Sequence, residues 1–164
     1  MRLTLAAIGK LRPGAERTLY ERYIERALPL GRQIGLSPII SWEVSESHAR
    51  ASEERKSQEA STLIQSPNSP LKESSTPLLI CDPQGDCLST EDFTELLTHL
   101  RNQNHGTTCI LIGGPDGLHH SLVHRAYKSI AFGAMTMPHQ LVRILLAEQI
   151  YRICTRLCGH PYHR

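Results

Sequence analysis

Short apolar runs alternate along the chain with longer stretches in which apolar residues recur at helical spacing. Runs of strand length fall at residues 3–8, 38–44, 78–82, 108–112 and 130–136. Leu78-Leu79-Ile80-Cys81 and Cys109-Ile110-Leu111-Ile112 show no polar alternation, which fits central strands of a mostly parallel sheet covered on both faces. Helices are predicted over 15–28, 49–64, 90–102, 119–128 and 139–154. Ser89 or Thr90 can cap the third, with Glu91 and Asp92 near its positive end. This alternation predicts an α/β fold, helices on both faces of the sheet, and a single domain over residues 1–164. Residues 65–77, rich in Ser and Pro, read as an exposed loop without a functional role.

The last predicted helix is apolar almost all round: Leu141, Val142, Ile144, Leu145, Leu146, Ile150, Tyr151 and Ile153 leave little polar surface. Pro138 stands at or near its first turn, where a missing N–H costs nothing, and Glu148 and Arg152 make a favourable pair four residues apart. Such a helix must be covered on more than one side. In a chain of 164 residues the sheet covers one side and a second copy the other, so a homodimer is predicted.

Composition narrows the function. With 40% hydrophobic and 21% charged residues the chain can bury a core and is not disordered. No apolar run approaches the ~20 residues of a membrane span, and the apolar part of residues 1–9 is too short for a signal peptide. Five irregularly spaced cysteines read as reduced thiols of a cytoplasmic protein. The formal net charge of +2 conceals an asymmetry. From residue 117 onward there are six basic residues and one acid, Glu148, together with six of the nine histidines. A basic third on a nearly neutral chain points to a local anionic partner, with nucleic acid the leading candidate.

Candidate chemistry sits in three clusters. The run 108–112 leads into Gly113-Gly114-Pro115-Asp116-Gly117-Leu118. Glycines just after a buried parallel strand let the backbone turn sharply where open α/β sheets bind ligands. The pattern is neither a phosphate-cradling P-loop nor G-x-G-x-x-G. The second cluster is Phe132-Gly133-Ala134-Met135-Thr136-Met137-Pro138-His139-Gln140, and the third is Gly159-His160-Pro161-Tyr162-His163-Arg164. Cys154, Cys158, His160 and His163 are zinc-ligand types, but structural zinc sites use a tighter cysteine pair, so no metal is expected.

Taken together, the segments resemble the RlmH family, small SPOUT-class methyltransferases that modify large-subunit ribosomal RNA. The resemblance covers nearly the whole chain. It rests on Ala7-Ile8-Gly9-Lys10, Asp82-Pro83-Gln84-Gly85, Ser89-Thr90-Glu91-Asp92-Phe93 and the glycine-rich turn, and most strongly on Thr136-Met137-Pro138-His139-Gln140-Leu141-Val142-Arg143, Glu148-Gln149-Ile150-Tyr151-Arg152 and Tyr162-His163-Arg164. It implies an S-adenosylmethionine-dependent enzyme with a trefoil knot near its carboxy end, acting as a homodimer. The implied reaction is methylation of N3 of a pseudouridine in helix 69 of 23S ribosomal RNA, on the assembled 70S ribosome. Implied cofactor contacts are Cys81, Gly113, Gly114, Phe132, Gly133, Ala134, Met135, Thr136 and Met137; Cys81 stands where the family usually carries a larger aliphatic residue. His163 is the candidate base or substrate anchor, Tyr162 a stacking partner and Arg143 an anion stabiliser, with His139, Arg152 and Arg164 as RNA contacts. Plainer roles stay open: His139 as a helix cap, Arg143 and Arg152 as partners of Glu148. The alternatives are a catalytically silent ribosome-binding protein of the same fold, or a SPOUT methyltransferase acting on transfer RNA.

Overall fold

The computed structural model describes residues 1–163, and of His163 the backbone alone. The elements follow in the order β1 (Arg2–Ile8), α1 (Ala15–Gln33), β2 (Ile39–Val44), α2 (Ser52–Gln65), β3 (Leu78–Cys87), α3 (Thr90–Asn102), β4 (Thr107–Ile112), α4 (His120–Arg125), β5 (Lys128–Ala131) and α5 (His139–Leu157), then a 3-10 turn at Pro161–His163. The five strands pair in parallel in the order β2-β1-β4-β3-β5. The expected α/β architecture is therefore present.

Both sheet faces are buried, which explains the unalternated apolar strands. Leu3, Leu5 and Ala7 of β1 pack with Tyr20 and Ile24 of α1, Leu97 and Leu100 of α3, and Ile150 and Ile153 of α5. Ala6 and Ile8 point the other way, onto Leu63 of α2 and Leu122 of α4. α3 begins in a capping box. Ser89 Oγ accepts from the Asp92 N–H at 3.0 Å, and the Asp92 carboxylate accepts from the Ser89 N–H at 3.1 Å.

Four expectations need correction. α1 runs through Pro29 to Gln33 rather than ending at residue 28; α1 packs along α5, and burial of Ala27 and Gly31 on either side of Pro29 carries the helix past a residue that lacks its donor. α4 is shorter than predicted because the Tyr127 N–H already donates to the Leu78 carbonyl at 2.7 Å, opening β5. β5 stops at Ala131, so residues 132–137 are not strand; they bend away around Gly133, whose φ is +129°. The Ser/Pro segment is also more than an exposed loop. Leu71 is fully buried in the second core, and Arg125 donates to the Leu71 and Glu73 carbonyls at 2.7 and 2.6 Å.

That anchoring has a measurable consequence. Leu71→Ala is expected to lower the unfolding free energy by about 2–5 kcal/mol in urea titrations, as for a core leucine; a change within about 0.5 kcal/mol, the surface value, would contradict it.

Candidate active site

The carboxyl ends of β3, β4 and β5 frame a cavity of about 700 Å³, within the range of small-molecule sites. Its floor comes from Cys81 and Ile112, the last pair of the β3–β4 ladder, and from Ile130 near the end of β5. One wall is the turn Gly113–Leu118, the other the irregular segment from Ala131 to His139 with Val142 of α5. Gly113 leaves little room for a side chain: a Cβ there would sit 3.0 Å from the Gly117 backbone and 3.1 Å from Leu118, so the turn would have to shift by a few tenths of an ångström. The turn is closed by a Gly117 N–H donated to the Gly114 carbonyl at 3.0 Å.

Two charged staples hold the walls. Arg55 of α2 grips the Asp116 carboxylate through Nε at 2.6 Å and Nη2 at 2.9 Å, while its Nη1 donates to the Ala49 and Arg50 carbonyls. This ties the glycine-rich turn to the loop after β2 and holds the Asp116 carboxyl below the usual range. Arg143 of α5, only 2% exposed, donates through Nη1 to Glu43 at 2.9 Å and through Nη2 to the carbonyls of Ile8 and Gly9, both at 2.7 Å. Burial draws its pKa down, with Glu43 pulling the other way. Sequence reasoning missed Arg55, Glu43 and the pairing of Asp116; the Arg55–Asp116 contact spans 61 residues and the Arg143–Glu43 contact 100, leaving no local signal.

The structure brings nine of the expected residues to the cavity: Cys81, Gly113, Gly114, Phe132, Gly133, Met135, Thr136, Met137 and His139. Exposed Ala134 sits on the same segment without lining it. Burial pushes the Cys81 thiol up to about 12, so it stays protonated. His139 caps nothing through its side chain; it is the first residue of α5, and α5 has no side-chain cap. Burial chiefly, and then the charge of Arg143, lower its pKa below 6.5.

Arg143 does not face the cavity as an anion stabiliser, because its guanidinium is buried and engaged by β1 and β2, nor does it pair with Glu148. Arg152 does pair with Glu148, at 2.6 Å. Tyr162 stacks within its own chain: its ring lies 4.6 Å from that of Tyr151, with the Arg152 guanidinium 5.1 Å above it. Burial, reinforced by Glu148, pushes its hydroxyl up to about 12. Arg152 lies thirteen steps along α5 from His139, roughly 20 Å of rise, so this cluster stands apart from the cavity. The His163 side chain and Arg164 lie outside the described residues. Among the described residues no three His, Cys, Asp or Glu gather as metal ligands, and no helix is long and apolar enough to cross a membrane.

A family model described as "Predicted SPOUT methyltransferase" matches residues 1–163. A protein named ribosomal RNA large subunit methyltransferase H from Xanthobacter autotrophicus is 43% identical over 164 residues, covering all of this chain and 99% of that one. Its namesake from Rhizobium etli is 45% identical with the same coverage. Among solved structures, a probable methyltransferase from Bordetella pertussis Tohama I aligns over 93% of each chain at 8% identity, with a TM-score of 0.47. The SpoU methyltransferase AviRb from Streptomyces viridochromogenes aligns over 96% of this chain and 61% of that one at 16% identity, with a TM-score of 0.43.

The two arginine environments predict different costs. Arg143→Ala strands two buried carbonyls and takes the cation from a half-buried carboxylate, and is expected to cost about 2–5 kcal/mol of stability. Arg152→Ala breaks a partly exposed pair and is expected to cost under about 1 kcal/mol. Chemical denaturation of both variants checks the contrast; equal losses would refute it. His139 sets a pH dependence. Its folded pKa lies below its unfolded value, so its contribution to stability is intact above about 6.5 and is lost as pH falls from there through the folded pKa. Its imidazole proton resonances should titrate below pH 6.5, and His139→Gln should flatten the acid-side fall in stability. A midpoint at or above that pH rules this environment out.

Proposed function

The chain belongs to the SPOUT methyltransferase family, and from that premise we propose that it uses S-adenosylmethionine to methylate large-subunit ribosomal RNA. The observation that carries the proposal is the cavity at the sheet's carboxyl edge, enclosed by the glycine-rich turn and the segment before α5. It fits the cofactor: a Cβ at Gly113 would press on the turn that lines it, and Ile112, Leu118, Ile130 and Val142 supply apolar walls. When bound, S-adenosylmethionine supplies a methyl group already activated by its sulfonium.

The protein's task is then alignment and water exclusion. Backbone groups of 113–117 and 132–137 are the proposed cofactor contacts, with Cys81 packing as a neutral thiol. In detail, we propose N3 of a pseudouridine in helix 69 of 23S ribosomal RNA as the acceptor, within the assembled ribosome. That nitrogen carries a proton which must leave. His139, on the cavity wall with its neutral form favoured at pH 7, can accept it, as can His163.

A homodimer belongs to the same reading. Leu141 and Leu145 of α5 stay 46% and 37% exposed, one turn apart, and Met135 of the preceding segment is 78% exposed. A second copy packed there can bring its carboxy-terminal residues Tyr162, His163 and Arg164 toward the cavity, from which Tyr162 stands apart in its own chain. A trefoil knot is also proposed: α5 leaves β5 at one edge of the sheet and returns over β1, where Arg143 meets Ile8 and Gly9.

The test is methyl transfer. Vacant 70S ribosomes from cells lacking this protein, incubated with labelled S-adenosylmethionine, should take up label in 23S RNA, with mass spectrometry locating it on N3 of one pseudouridine. Gly113→Ala should lose cofactor binding, and His163→Ala should lose methylation rate far more than cofactor affinity. Label confined to transfer RNA, or cofactor binding without transfer, would overturn the assignment.

A further inference from the structure

The basic surplus of the carboxy-terminal third is largely consumed inside the protein. Arg125 clamps the 66–77 segment, Lys128 pairs with Asp86, Arg143 is buried, Arg152 pairs with Glu148 and Arg156 with Glu91. Every basic residue of that third among the described residues has an internal partner. An RNA-binding protein needs cations that are free to meet phosphate, and among the described residues these lie outside that third.

They lie on the loops at the cavity's own end of the sheet. Lys10 and Arg12 follow β1, Arg50 follows β2, and all three are exposed. Among the described residues no carboxylate lies within ion-pair distance of any of them. β2, β1 and β4 are neighbours in the sheet, so their outgoing loops emerge about 5 Å apart, strand to strand. The Arg55 staple fixes the arrangement, since one guanidinium holds both the Arg50 carbonyl and the Asp116 carboxylate of the cavity wall. The start of α4 joins the same rim. Glu53 of α2 has its carboxyl held down first by Lys56, and further by the nearness of His119 and His120. The rings of His119 and His120 lie 4.1 Å apart and His124 follows at 6.2 Å from His120, with His120 and His124 exposed. Of the acids on these loops, Asp116 is neutralised by Arg55, leaving Glu46 against three free cations.

We propose that the loops after β1, β2 and β4 form the surface that docks the RNA backbone beside the cavity, with Lys10, Arg12 and Arg50 on phosphates and the His120 and His124 rings against sugar or base. This rests on the ribosomal RNA reading and names the face that meets the substrate. Because Arg55 joins the Arg50 carbonyl to Asp116, a phosphate contact at Arg50 falls beside the cavity wall, while the exposed His120 and His124 imidazoles offer flat surfaces to an unpaired base.

Co-sedimentation of the full-length protein with 70S ribosomes over a salt series tests it, alongside methylation kinetics. K10A/R12A and R50A should each weaken ribosome binding and raise KM, by about fivefold per cation removed, with the log–log salt slope shallower by about one for each. H120A/H124A should weaken binding without changing the salt slope. Cofactor affinity should be unchanged throughout, and Arg50→Lys should recover most of the loss. Arg156→Ala, remote from this rim, is the control. Melting curves check folding, and Arg50→Gln replaces alanine if that variant melts early. Wild-type affinity and salt slope in K10A/R12A and R50A, or a larger loss from Arg156→Ala, would overturn the docking surface. Ribosome binding that follows the rim variants, without methyl transfer by the wild type, sinks the enzymatic reading instead; a wild type that does not bind ribosomes sinks both.

Discussion

A single buried guanidinium holds the cavity in shape. Arg143 reaches from the first turns of α5 to the ends of two strands, spending Nη1 on Glu43 of β2 and Nη2 on the Ile8 and Gly9 carbonyls where β1 runs out. Those carbonyls lie at a strand end, where the ladder is running out of donors, and a fork of N–H groups satisfies both at once. A lysine ammonium, one point charge on a flexible stem, could not span the same acceptors in fixed geometry. His139 and Val142 lie within a turn of Arg143 and line the cavity, so the clamp that docks α5 on the sheet also sets the position of one cavity wall.

The fold was legible where local chemistry decided it. Buried parallel strands show as unbroken apolar runs because both of their faces meet helices, and the third helix announces its start through Ser89 and Asp92. Legibility failed where an apolar residue serves something other than the nearest core. Residues 130–136 read as one strand, yet only Lys128–Ala131 pair; Phe132, Met135 and Met137 line the cavity instead. Hydrophobicity alone does not separate a residue facing a core from one facing a ligand. Leu71 failed in the opposite way, a lone apolar residue in a Ser/Pro stretch that fills the second core once Arg125 pins its carbonyl.

At the site, position was readable and wiring was not. Three glycines after a buried strand mark the cavity wall, and the Phe132–His139 segment completes it. The partners that hold those walls lie 61, 100 and 135 residues from the arginines that bind them. Charge counting has the same blind spot. It registered a basic third correctly, but a sum over residues does not distinguish a cation spent on a carbonyl inside the molecule from one left facing water.

That distinction divides the positive charge between two roles that respond differently to solvent. The Arg143 guanidinium and its carbonyl contacts are buried and feel little of the ionic atmosphere, whereas Lys10, Arg12 and Arg50 stand in water, where charges more than about 8 Å apart are largely screened at physiological salt. The protein can therefore keep its cavity rigid across conditions that loosen its hold on an anionic partner. Arg55 connects the two roles, with the carbonyl of an exposed cation at one end of its guanidinium and the carboxylate of a cavity-wall residue at the other. The buried clamp thus sets the shape of the cavity, and the exposed cations set how strongly salt governs what docks beside it.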